Sequence, residues 1–61
     1  MITVYVNNET VHLLPGMTVR HALRQANVLD RLNAGQRVYD ELGNEIGLDG
    51  AVYDQMKILV R

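Results

Sequence analysis

The 61-residue sequence has no cysteine, no serine, no tryptophan and no phenylalanine, and a single proline. Without cysteine there are no disulfides, thiolate metal sites, iron–sulfur clusters or cysteine nucleophiles, and the composition fits a reducing compartment. Without serine there is no serine nucleophile. The core must therefore be assembled from Val, Leu, Ile, Ala and Met. In a single domain spanning 1–61, such a core only narrowly outweighs chain entropy. No apolar run approaches the ~18 residues of a membrane span, and no basic-then-apolar leader is present, so a cytoplasmic location without a membrane partner is expected. Gly-rich phosphate loops and the acidic spacing of an EF-hand are also missing.

What is present is organised around Leu14-Pro15-Gly16-Met17-Thr18-Val19-Arg20-His21-Ala22-Leu23-Arg24-Gln25-Ala26. Pro15-Gly16 stops a strand, Thr18 offers an N-cap oxygen, and Val19, Ala22, Leu23 and Ala26 recur at i, i+3, i+4 and i+7. This predicts a helix over 19–26 with Arg20, His21, Arg24 and Gln25 facing water. Asn27 is suited to end it in a left-handed conformation, with Val28 and Leu29 folding back. Arg20 sits badly for the helix dipole, and neither Glu nor Gln occupies position 21 to complete a capping box.

Before the helix, residues 2–6 and 9–13 alternate and are rich in β-branched side chains, with Asn7-Asn8 as a two-residue turn. That turn pairs Val6 with Glu9, Tyr5 with Thr10, Val4 with Val11, Thr3 with His12 and Ile2 with Leu13. Ile2, Val4, Val11 and Leu13 then share one face, and Thr3, Tyr5, Thr10 and His12 the other. After the helix come one helical turn over 30–35 with Leu32 inward, a short strand over 37–40, turns at Gly43-Asn44 and 47–50, and a strand over 56–61. In the last, Met56, Ile58 and Val60 point inward.

Strand, short turn, strand, Pro-Gly-x-Thr-Val and helix resemble the opening of β-grasp (ubiquitin-like) proteins. Nearest in pattern are the small sulfur carrier proteins of thiamine and molybdopterin synthesis and the TGS domains of RNA-linked enzymes. The [2Fe–2S] ferredoxin domains open similarly, but their chemistry needs four cysteines. The resemblance spans Ile2 to Asn27 and implies an α+β β-grasp roll, with a mixed sheet of about four strands packed on one helix and the last strand parallel to the first. Many relatives have Asp-Gly-Asp before the last strand, where this sequence has Asp54-Gln55-Met56. Sulfur carriers act through a C-terminal Gly-Gly, whereas the sequence here ends Leu59-Val60-Arg61. A TGS-like RNA-binding module would use Arg20, Arg24, Arg31 and Arg37.

Three functions are weighed on this basis. The first is a non-enzymatic ubiquitin-like protein-interaction module, free-standing or accessory to a larger enzyme system. The others are a sulfur carrier lacking its Gly-Gly tail and a TGS-like RNA-binding module, with nucleic acid the less favoured partner. No catalytic, cofactor or metal-binding residue is assigned; His12 and His21 have the wrong spacing for a helical ligand pair and are both read as solvent-facing. The partner-binding residues expected are Tyr5, His12, Leu59 and Lys57 on the open sheet face, with Arg20 and Arg24 on the helix as a second surface. The partner expected is another protein, and weak association of two copies is compatible with so small a core. Charge is blocked along the chain, with four arginines from 20 to 37 followed by acids at 40, 41, 45, 49 and 54, a pattern that would orient a partner if the blocks formed separate faces.

Overall fold

The structure, a computed structural model, describes residues 1–29 and 35–61. The helical turn expected over 30–35 therefore lies outside the described residues, apart from Gly35, which is an exposed turn residue. Strands β1 (Ile2–Val6), β2 (Glu9–Leu13), β3 (Val38–Asp40) and β4 (Met56–Val60) form one sheet in the order β2-β1-β4-β3, with helix α1 (Val19–Gln25) between β2 and β3 in sequence. β1 pairs antiparallel with β2 and parallel with β4, and β3 runs antiparallel to β4. This mixed α+β arrangement is consistent with a β-grasp roll.

The hairpin forms in the expected register. Asn7 (φ 48°) and Asn8 (φ 72°) both take left-handed backbone, which matches the twist that a two-residue hairpin requires. Pro15-Gly16 makes the next turn: Gly16 has φ 94°, and Met17 N–H donates to the Leu14 carbonyl at 3.2 Å.

α1 ends one residue earlier than the pattern predicts, because Ala26 is already its C-cap. Asn27 (φ 60°) follows in the left-handed region, Val28 N–H donates to Leu23 O at 2.9 Å, and Asn27 N–H donates to Arg24 O at 3.1 Å. Those two bonds make a Schellman motif and fold Val28 back on the helix.

The N-terminus of α1 corrects the sequence reading. His21 is half-buried rather than solvent-facing, and its Nδ1 accepts from the Thr18 N–H at 3.0 Å, closing the capping box that Glu or Gln usually closes. The segment 47–50 is more than a connecting loop. Its Gly50 and Leu48 carbonyls accept from Val19 N–H and Arg20 N–H, each at 2.9 Å, so helix donors without intrahelical partners are satisfied from about thirty residues downstream. Arg20 is held there by Asp49 at 3.3 Å, so it too does not simply face water.

The core lies between α1 and one face of the sheet. Val4, Val6, Val11, Leu13, Val19, Ala22, Leu23, Ala26, Val38, Val52, Met56 and Ile58 are buried, with Ile2, Val28, Ile46, Leu48 and Val60 packed around them. Among the described residues no helix is long and apolar enough to cross a membrane.

Candidate functional site

The helix covers one face of the sheet and leaves the other open. On the open face the cross-strand register sets Thr10, Tyr5 and Lys57 in a row across β2, β1 and β4, and sets Leu59 opposite Tyr39. Side chains alternate along each strand, so these residues must point away from the helix once Val4, Val6, Met56 and Ile58 point toward it.

This row forms a depression of about 290 Å3, lined by Tyr5, Asn8, Thr10, Glu41, Lys57, Ile58 and Leu59. A depression of this volume, open to solvent, has room for one or two side chains of a partner. Its walls are held from several sides. The Tyr5 hydroxyl donates to Gln55 Oε1 at 3.2 Å, and Gln55 itself sits in a left-handed backbone (φ 68°). The adjoining Asp54 Oδ1 accepts from Thr3 N–H at 2.8 Å, while Gln55 N–H donates to Thr3 O at 2.6 Å. The 54–55 turn therefore grips both backbone groups of Thr3, next to Tyr5 on the same strand. On the other side the hairpin turn is tied to β4: Asn7 N–H donates to Ile58 O and Val60 N–H donates to Asn7 Oδ1, both at 2.9 Å.

Glu41 reaches the depression from the turn after β3. Asp40 builds that turn, its Oδ1 accepting from Asn44 N–H at 2.9 Å and from Leu42 N–H at 3.0 Å. The Asn44 N–H above all, then that of Leu42, holds the Asp40 carboxyl below the ordinary aspartate range against an opposing desolvation. The ionised carboxylate is the form these amides favour, so Asp40 holds the turn. At the tip, Leu42 is 82% exposed.

Of the residues expected to bind a partner, the structure brings Tyr5, Lys57 and Leu59 together. Lys57 is exposed, while Tyr5 and Leu59 are half-buried. His12 shares the face but stands outside the depression, across from Thr3, whose Oγ1 lies 3.5 Å from its Nδ1. Arg20 and Arg24 lie on the helix, across the core from this face, and Arg20 is engaged by Asp49. Asn8 and Glu41 were not foreseen as part of the site. The turn asparagine carried a signal, since a hairpin turn must border the face its strands present; Glu41 carried none.

Among the described residues, two arginines of the basic block meet acids of the acidic one. Arg20 meets Asp49, and Arg37 Nε lies 3.6 Å from Glu45. Among the described residues no cluster of three or more His, Asp or Glu side chains could hold a metal, and no buried side-chain polar atom lacks a hydrogen-bond partner. No protein family, curated protein or solved structure matches this chain.

Proposed function

We propose that this is a non-enzymatic β-grasp interaction module that docks a protein partner on the open face of its sheet, with Tyr5, Lys57 and Leu59 at the centre. The observation that carries this reading is the depression itself: a tyrosine and a leucine, half-buried, flanked by polar and charged side chains. Aromatic and aliphatic anchors inside a polar rim are the make-up of interface hot spots. RNA binding draws less support, because Arg20 and Arg37 are already ion-paired within the chain.

The test compares two variants in a pull-down from source lysate. One is Tyr5→Ala, His12→Ala and Leu59→Ala together; the other is Arg20→Ala with Arg24→Ala. Proteins held by the wild type and by the helix variant should be lost with the triple variant. A captured protein, purified and titrated calorimetrically, should bind the triple variant more than about tenfold more weakly, a typical consequence of losing one strong anchor. Equal affinity for the triple variant would remove the open face from consideration and turn attention to the helix.

A further inference from the structure

The depression carries two charges of opposite sign. Lys57 and Glu41 both line it, and neither forms an ion pair with any described residue. Beside Glu41 the exposed Leu42 sits at the tip of a turn whose shape Asp40 fixes through the Leu42 and Asn44 amides. The patch thus has an apolar centre in Tyr5 and Leu59, an ammonium from β4 and a carboxylate from the neighbouring turn. Such a surface has an occupant that satisfies all of it at once. Turned about a twofold axis onto a copy of itself, such a surface would set each Glu41 against the other Lys57 across the apolar centre. Isologous contacts of this kind close on themselves and need no second kind of surface.

We infer that the open sheet face pairs with the same face of a second copy, with Glu41 of each chain against Lys57 of the other. This deepens the docking reading above and rests on it, by naming the first occupant of that face. For a chain of 61 residues whose core lies on one side of the sheet, covering the other side also adds stability by mass action.

The experiment is sedimentation equilibrium of the full chain from micromolar to millimolar concentration, for the wild type, Glu41→Lys, Lys57→Glu and the double swap. The wild type should show a monomer–dimer equilibrium. Each single swap sets like charges against each other at both symmetric contacts and should weaken dimerisation at least about tenfold. The double swap restores opposite charges and should return it to within about threefold of wild type. The double variant also controls for folding, since it carries both changes. A wild type that stays monomeric at millimolar concentration overturns the inference. So does a dimer indifferent to the single swaps, or one the double swap fails to rescue. If the chain is monomeric while Tyr5 and Leu59 are still needed to hold another protein, self-pairing alone fails. If neither association depends on this face, the docking reading fails with it.

Discussion

Gln55 is the residue at which local preference and structure disagree most plainly. An L side chain with φ 68° is crowded against its own backbone, and glycine is the residue free of that penalty. Gln55 offsets some of the cost by accepting the Tyr5 hydroxyl. Substitution by Ala or by Gly removes that bond equally, and the two differ only in tolerance of positive φ. Gln55→Gly should therefore be more stable than Gln55→Ala by about 1 kcal/mol in urea denaturation; equal stabilities would mean that the left-handed turn is not maintained in solution. Leu23 shows the opposite situation, a residue fully buried where the helical period put it. Leu23→Ala should cost about 2–5 kcal/mol, and a loss under about 0.5 kcal/mol would show that α1 does not pack on the hairpin. Asp40 sets a pH limit. Its carboxyl titrates lower in the folded chain than in the unfolded one, so the stability it contributes is fully present above the ordinary aspartate value of about 4 and is lost as pH falls through the lower folded value. Asp40→Asn should be the less stable form at neutral pH, with a gap that narrows as pH drops below about 4. A gap that is constant across that range would mean the turn does not depend on the charge.

At the scale of elements, β1 and β2 were legible because period-two alternation and an Asn-Asn turn admit one register, and a slip of one residue would have mixed the faces. The helix and its end were legible for similar reasons, down to the left-handed Asn27. The beginning of the helix was not. Backbone carbonyls at Leu48 and Gly50 cap Val19 and Arg20, and a carbonyl has no side-chain signature by which a sequence could announce it. The capping box reads as incomplete in the sequence because histidine is not among the residues expected at N3, yet an imidazole nitrogen accepts the same N–H. Replacement separates the two contributions. His21→Ala should cost about 1 kcal/mol, in the range of lost helix caps, while His21→Gln, which can reach back to the same amide, should recover most of it. If the two variants unfold together, the Thr18 amide does not need the ring. The candidate site was legible to the same extent as the strands: alternation brought Tyr5, Lys57 and Leu59 to one face. Glu41 was not, because it arrives from a turn whose placement depends on β3 pairing with β4 and on Asp40 gathering the amides of the residues that follow.

For the molecule as a whole, the decisive property is that its core is one-sided. Among the described residues, every fully buried large side chain lies between α1 and the inner face of the sheet, and none lies on the outer one. At the usual ~0.05–0.15 kcal/mol per residue, a domain of this length has only about 3–9 kcal/mol of stability. A single inner-face cavity can remove much of that, whereas changes on the outer face should not. The variant carrying Tyr5→Ala, His12→Ala and Leu59→Ala puts this asymmetry to the test. His12 is exposed, and Tyr5 and Leu59 are half-buried, so truncating all three forfeits part of the transfer energy of two large side chains and leaves no enclosed cavity. The expected loss is about 1–3 kcal/mol in total, less than that of Leu23→Ala measured beside it, with a cooperative melt retained at 25 °C. If instead the triple variant unfolds while Leu23→Ala survives, the two faces of the sheet have been assigned the wrong way round. The residues proposed to receive a partner would then be the ones holding the chain together.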